Sequence, residues 1–420
     1  MLVTMLTAGT RGDAQPYIAL GLALQAAGNY RVRIVASETF ESFVKGFGLE
    51  FYPLQGDVSK IAEDSRVRKA MEADNPIKML ISFNTLKSYA LDLQKEFYDA
   101  CQGSDAIVYH PGATIGYFVA QALNIPSILA SPFPMTSTQD YPALIFYDSF
   151  NFGKRVNRLT HRLFEQMMWQ MSKSLIKKFW KQKFGSVPRN FVNPFGKQQT
   201  KHYPTIVSGS NYVFPKPRDW PEHVHNTGYW FLDEDNWHPT DELQEFLESG
   251  TPPVYVGFGS LGDPTKAEET TALVIDALKR SGQRGVLATG WNGMTKLDQI
   301  PENIHILESA PHAWLFPRMS AVVHHGGAGT TAAGLRAGVP SILIPHANDQ
   351  FAWGKRVYEL GVGAKPIPKK KLTAEKLSAA ITYVLTKEVQ HKAKALGEII
   401  QSENGAIMAA KVITDCLKQW

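Results

Sequence analysis

Short apolar runs alternate with longer stretches of helical periodicity along the chain. In the first half the runs are Leu2-Val3-Thr4-Met5-Leu6, Arg31-Val32-Arg33-Ile34-Val35, Ala106-Ile107-Val108-Tyr109 and Ser127-Ile128-Leu129-Ala130. Each is short and bounded by polar or turn residues. That is the pattern of parallel strands buried on both faces and joined by helical crossovers. The second half repeats it with Val254-Tyr255-Val256-Gly257-Phe258, Gly285-Val286-Leu287-Ala288, Asn303-Ile304-His305-Ile306-Leu307, Ala321-Val322-Val323-His324 and Ser341-Ile342-Leu343-Ile344. Two βαβ series predict an α/β chain of two Rossmann-like domains. Between them runs Phe214-Pro215-Lys216-Pro217-Arg218-Asp219-Trp220-Pro221, whose prolines cannot sit inside a helix or a central strand. The expected division is an N-terminal domain over 1–213, an interdomain stretch over 214–245 and a C-terminal domain over 246–398. Ligands in open α/β sheets bind beyond the carboxyl ends of the strands. Two such sheets facing across a cleft would each supply one substrate.

Composition changes this picture little. The 420 residues suit two cores, and 44% hydrophobic with 20% charged residues is ordinary for a globular protein, which argues against disorder. Cys101 and Cys416 share no metal-ligand spacing and imply no disulfide framework, so a reducing, cytoplasmic setting is the expectation. Met1 to Leu6 reads as a buried strand and not as a signal peptide. No apolar run approaches the ~20 residues that span a bilayer.

The net charge of +5 is mild, but its distribution is uneven. Lys154 to Lys183 carries nine Lys or Arg and one acid, Glu165, interleaved with Phe164, Met167, Met168, Trp169, Phe179 and Trp180. This is either a solvated basic helix with one buried face or an interfacial helix that meets anionic lipid. No nucleic-acid-binding motif accompanies the charge, and nucleic acid is not an expected partner.

Candidate chemistry gathers at two strand ends. The strand Ala321 to His324 runs into Gly326-Gly327-Ala328-Gly329-Thr330-Thr331 and then a helical pattern from Ala332. Small residues admit a ligand to the backbone, and a helix N-terminus suits a diphosphate. Thr330 could cap that helix or bond a phosphate oxygen. The run is neither a Walker motif nor a dinucleotide fingerprint. Tight strand-to-helix packing would also explain it. His324 and His325, adjacent on extended chain, point to opposite sides. His325, beside the glycines, is the candidate phosphate donor, and His324 a core residue. After the first strand, Thr7 to Asp13 precedes a helix expected from about Gln15. Asp13 is either an N-cap or a carboxylate free for proton transfer.

Taken together, His324 to Gly338 resembles the nucleotide-sugar signature of family 1 glycosyltransferases, and of the sterol 3-β-glucosyltransferases and their bacterial relatives in particular. Thr10-Arg11-Gly12-Asp13-Ala14-Gln15-Pro16-Tyr17, Asp219 to Leu232, Gly257-Phe258-Gly259-Ser260 and Ala310 to Pro317 extend the resemblance over nearly the whole chain. It implies the GT-B fold, with a last segment, 399–420, packing back on the N-terminal domain. It implies that His325, Gly327, Ala328, Gly329 and Thr330 hold the diphosphate of a UDP-sugar, with Ser260 approaching it too. Ala310 and His312 would lie near the uracil, and Trp291 would stack on it or pack in the core. Asp349-Gln350 would grip the sugar hydroxyls. Two departures stand out: Asn348 replaces the glycine common before Asp-Gln in the sterol subgroup, and Ala333 stands where plant-type relatives carry a ribose-binding Glu.

The resemblance also makes Asp13 the general base of an inverting transfer, with Thr10, Arg11 and Gly12 assisting the leaving diphosphate. No metal or other cofactor is implied, and Asp233-Glu234-Asp235 is taken as a solvated acidic turn. Phe133, Met135 and Phe146 are the candidate acceptor pocket. The expected reaction moves a hexose, glucose, from UDP to a hydroxyl of a lipophilic acceptor such as a sterol or triterpenoid. Phenolic or polyketide acceptors, another enzyme class on the same fold such as an epimerase or phosphorylase, and a non-catalytic nucleotide- or lipid-binding module are the alternatives. Membrane contact through 154–183 would suit a lipophilic acceptor.

Overall fold

The computed structural model describes residues 1–420 apart from Ala8, 56–86, 149–152, 197–198, 201, 235–236, 260–265, 291–293, 296–298 and 347–348. Ser260, Trp291, Asp235 and Asn348 therefore lie outside the described residues. The chain divides into two units, Met1–Leu232 with Glu403–Trp420, and Asp233–Ser402.

The first unit runs β1 (Leu2–Leu6), α1 (Arg11–Ala26), β2 (Arg31–Ser37), α2 (Glu41–Gly46), β3 (Glu50–Leu54), α3 (Lys87–Ala100), β4 (Ala106–Tyr109), α4 (Ile115–Leu123), β5 (Ser127–Ser131), α5 (Lys154–Phe184), β6 (Thr205–Ser208) and β7 (Val224–Gly228). The strands form one parallel sheet in the order β3-β2-β1-β4-β5-β6-β7. Every residue of β1 and β4 is buried, because both faces of the sheet are covered. Alternate residues feed two cores. Val3, Met5, Ala106 and Val108 join one, and Leu6, Ile107 and Tyr109 join the other.

Among the described residues, three of the seven strands were not expected. β3 contains Pro53, β6 is four residues long, and β7, Val224-His225-Asn226-Thr227-Gly228, is half polar. Both β3 and β7 are edge strands, where proline and polar residues are tolerated because one side of the ladder is unpaired. β7 lies inside the stretch 214–245, and the break between the units falls after Leu232.

The second unit runs α6 (Asp241–Glu248), β8 (Val254–Gly257), α7 (Ala267–Ser281), β9 (Gly285–Ala288), β10 (Ile304–Leu307), α8 (His312–Leu315), β11 (Ala321–His324), α9 (Ala328–Arg336), β12 (Ser341–Leu343), α10 (Gln350–Glu359), α11 (Ala374–Val384) and α12 (Lys387–Ser402). Among its described residues, five strands are also parallel, in the order β10-β9-β8-β11-β12. The last helix, α13 (Gly405–Leu417), belongs to the first unit, where Ala409, Ala410, Ile413 and Leu417 join the core that α1 covers.

α5 carries the basic segment and has one buried face. Phe164, Met167, Trp169, Phe179 and Trp180 face the core, so these side chains are not a membrane-facing surface. The one acid, Glu165, is on the same buried face. The basic residues Lys154, Arg155, Arg162, Lys177, Lys178 and Lys181 are exposed. Among the described residues, no helix is long and apolar enough to cross a membrane.

Candidate active site

In the first unit, α1 begins at Arg11, earlier than its apolar pattern implies. The reason is a capping box: Thr10 is the N-cap, and Asp13, at the third helical position, reaches back to it. Asp13 is thus not itself the N-cap, and Arg11 and Gly12 belong to the first helical turn. Asp13 Oδ2 accepts from the Thr10 backbone N–H at 2.7 Å and from Thr10 Oγ1 at 3.2 Å. Both bonds fall on one oxygen. Burial pushes the Asp13 carboxyl above its ordinary value, and the two Thr10 bonds oppose that shift without cancelling it.

Gly9 shapes this corner. Its φ is +131°, and a Cβ built on it would lie 2.2 Å from Asp13 Oδ2. Both facts require glycine. Apolar periodicity gives no sign of Gly9, but a glycine between a strand and a capping threonine is a signal for such a turn. Arg11 is exposed, with its guanidinium 4.3 Å from the centre of the Phe43 ring. Tyr17, one turn after Asp13, is buried and donates its hydroxyl to Ala130 O at 2.5 Å.

The acceptor candidates divide. Phe133 and Phe146 are partly buried against the core. Met135 is only 2% exposed and is core, not pocket surface. Its backbone is held by α5: His161 Nδ1 lies 3.2 Å from Met135 O, and His161 Nε2 lies 3.0 Å from Tyr141 O. The Asp219-Trp220 pair fixes the same loop. Asp219 accepts from Thr138 Oγ1, Gln139 N and Arg158 Nη2 at 2.6, 3.0 and 3.0 Å, and Trp220 Nε1 donates to Thr136 O at 3.0 Å.

In the second unit, β11 delivers His324 and His325 to the glycine turn with their rings nearly perpendicular. His324 is fully buried, and its Nδ1 accepts from Gly326 N at 3.1 Å. Burial, with His325 and His312 nearby, holds it neutral, well below the usual histidine range. It is the core residue that shapes the turn. Gly326 has φ +95°, and a Cβ there would meet Leu343 and Gln350 at 3.1 to 3.3 Å.

His325 occupies a slot between two glycines. A Cβ on Gly327 would lie 2.7 Å from its Nε2, and one on Gly259, whose φ is +62°, would lie 3.0 Å from its Cε1. Burial pushes His325 down to about 4, so the ring is neutral at pH 7. His346 stands beside it, ring centres 6.3 Å apart, and was not singled out from the sequence. α9 starts at Ala328, four residues before the expected Ala332, with Gly327 as N-cap and no side-chain cap. Thr330 is therefore in the first turn and does not cap. The amides of Ala328, Gly329 and Thr330 have no intrahelical partner, and the space in front of Gly329 is open. A neutral imidazole beside open helix N-terminal amides is an arrangement that fits phosphate.

Asp349 and Gln350 stand at the start of α10, beside the turn at Gly326. Asp349 Oδ2 accepts from Trp353 Nε1 at 3.0 Å, and Gln350 Oε1 accepts from His346 N at 2.7 Å. His312 stacks on Phe316 with ring centres 4.3 Å apart, and Ala310 is partly buried against the same cluster. Asp233 is exposed, as expected of the acidic stretch, and it also pairs with Arg336 of α9 through two bonds, at 2.6 and 2.9 Å.

Comparison with known proteins matches a different family to each part of the chain. Residues 3–142 match the glycosyltransferase family 28 N-terminal domain, and residues 272–413 match the erythromycin biosynthesis protein CIII-like C-terminal domain. A sterol 3-beta-glucosyltransferase of Arabidopsis thaliana is 36% identical over 97% of this chain and 66% of its own length. One from Yarrowia lipolytica is 36% identical over 98% of this chain but only 28% of its own length. The chain thus spans just under two thirds of the plant relative and under a third of the fungal one. Among solved structures, the glycotransferase of kitacinnamycin superposes with a TM-score of 0.71 at 19% identity, covering 99% of each chain. Glycosyltransferase VinC, solved with dTDP, gives 0.69 at 15% identity over 100% of both. With a glycosyltransferase family 28 domain matched in the first part, an erythromycin CIII-like domain matched in the last, sterol 3-beta-glucosyltransferases 36% identical across the chain and the fold shared along its length, the chain belongs to the GT-B glycosyltransferases.

Proposed function

We propose that the chain transfers a hexose, glucose, from a UDP-sugar to the hydroxyl of a sterol or similar triterpenoid, with inversion at the anomeric carbon. The observation that carries the chemistry is Asp13. Its carboxylate lies beyond the carboxyl end of β1 with both protein bonds on Oδ2, and burial makes it a stronger base than a solvated aspartate. Oδ1 takes the proton as the acceptor oxygen attacks and the sugar–phosphate bond breaks. In the second unit, His325 and the amides of Ala328, Gly329 and Thr330 hold the diphosphate, and Asp349 and Gln350 turn to the sugar. Preorganised donors there stabilise the charge on the leaving UDP. Arg11, Thr10, Ser260, Trp291, Ala310 and His312 are proposed as supporting donor contacts. The sterol acceptor is supported by the relatives at 36% identity.

A peripheral membrane contact suits a lipophilic acceptor. The exposed face of α5 offers Leu159 and Leu163, 61% and 56% exposed, among Lys154, Arg155 and Arg162. The second reading, transfer to a phenolic or polyketide acceptor, is favoured by the erythromycin CIII-like C-terminal match and by the kitacinnamycin neighbour.

The test is UDP release from UDP-glucose with cholesterol or a flat phenol as acceptor, with mass spectrometry of the product. Cholesteryl glucoside, lost in Asp13→Asn while UDP still binds, is the expected outcome. Activity on phenols with none on 3β-hydroxysterols sinks the sterol reading, and an active Asp13→Asn sinks the base.

A further inference from the structure

The order of the first sheet reverses direction between β1 and β4: the chain builds outward to β3, then returns to β4 on the other side of β1. Crossovers on opposite faces leave a crevice at such a switch point, beyond the carboxyl ends of the two strands. Asp13 follows β1. His110 follows β4, and its backbone N–H donates to Leu6 O at 2.9 Å, level with the end of β1.

The His110 ring is fixed in both rotation and tautomer. Nδ1 accepts from Gly112 N at 3.0 Å, which caps the turn Pro111–Ala113. Burial pushes the ring down to about 4, so it is neutral at pH 7. A neutral ring that accepts at Nδ1 carries its proton on Nε2. That Nε2–H is buried and has no partner among the described residues. Tyr17 lies edge-on to the ring, centres 6.2 Å apart at 67°, but its hydroxyl is committed to Ala130 O. Tyr17 is also one helical turn from Asp13, so the same ring borders both groups. Asparagine would cap Gly112 equally well, and a hydrocarbon ring would pack against Tyr17 without stranding a donor. The turn and the packing therefore leave the Nε2–H unexplained.

We propose that His110 is a positioning residue for the acceptor, its Nε2–H holding the oxygen of the hydroxyl that Asp13 deprotonates. The proposal rests on the reading of Asp13 as base. The acceptor oxygen gives its proton to Asp13 Oδ1, accepts from His110 through one lone pair and bonds the anomeric carbon through another. The sugar–phosphate bond breaks and its electron pair leaves on UDP. Proton and electron count balance without a further reactant.

Two variants separate the halves of the imidazole. His110→Asn keeps an acceptor for Gly112 N and removes the distal donor. His110→Gln extends an N–H toward the position of Nε2. With cholesterol and UDP-glucose, His110→Asn is expected to lower kcat/KM for cholesterol at least tenfold, with Tm and UDP affinity near wild type. His110→Gln is expected to recover part of that loss. Wild-type kcat/KM in His110→Asn, with Asp13→Asn inactive, overturns the assignment of His110 alone. Equal losses in both variants together with a lowered Tm assign the residue to its turn and also overturn it. An active Asp13→Asn overturns the base reading beneath it.

Discussion

Gly327→Ala isolates the contact on which donor binding is proposed to depend. Gly327 has φ −61° and ψ 144°, a conformation any residue adopts, so alanine adds no backbone strain. Its stability effects nearly offset. Alanine is a poorer N-cap than glycine by under about 1 kcal/mol, and it restricts the unfolded chain by a similar amount. The new methyl group, however, would sit 2.7 Å from His325 Nε2, where ordinary contact begins at 3.4 Å. The ring must retreat by roughly 0.7 Å, which takes a hydrogen bond of about 2.9 Å past its useful range. A bond from His325 to a charged phosphate is worth about 1.5–3 kcal/mol. UDP should therefore bind roughly 10- to 150-fold more weakly, with Tm within a few degrees of wild type. Isothermal titration with UDP measures the first quantity and thermal unfolding the second. The same substitution in a His325→Ala background should cost little more, since the ring it displaces is gone. An unchanged UDP affinity in Gly327→Ala, or an equal loss in the His325→Ala background, would refute the reasoning.

Gly9→Ala should abolish transfer and lower Tm, because it meets a φ of +131° and an Asp13 oxygen at 2.2 Å, while UDP affinity stays intact; steady-state kinetics and titration separate the two. Asp219→Asn removes the carboxylate that holds Thr138, Gln139 and Arg158, so KM for cholesterol should rise several-fold with UDP affinity unchanged. Glu165 is 8% exposed, and burial lifts its carboxyl from 4.5 to about 7 against the pull of the Ser137 N–H and Arg162. The folded state then holds this proton more tightly than the unfolded chain, so the contribution is full below pH 4.5 and is lost as pH rises through 7. Glu165→Gln should match wild type near pH 4.5 and exceed it by about 3 kcal/mol above pH 7, by denaturant unfolding across that window; a constant difference at all pH values contradicts the assignment.

The interior strands β1, β4, β8 and β11 were legible because a parallel sheet covered on both faces demands continuous apolar runs, and these supply them. Edge strand β7 was not, since an edge tolerates the polar residues that His225-Asn226-Thr227 place there. The capping signal at Thr10 and Asp13 was readable as a pattern, yet the apolar periodicity pointed to a later helix start. The acceptor candidate Met135 was chosen for being apolar beside a strand end, and apolarity does not distinguish a pocket wall from a core.

What the sequence by itself determined is local: which runs become strands, which glycines mark turns, and which residue types stand at the ends of β1 and β11. Tertiary structure decided which of them meet. Gly259 and Gly327 enclose His325 only because β8 pairs with β11. His110 stands level with the end of β1 only because β4 crosses to lie beside it. Spacing along the chain carries no record of such pairings, because hydrogen bonds between parallel strands join segments that a crossover holds apart.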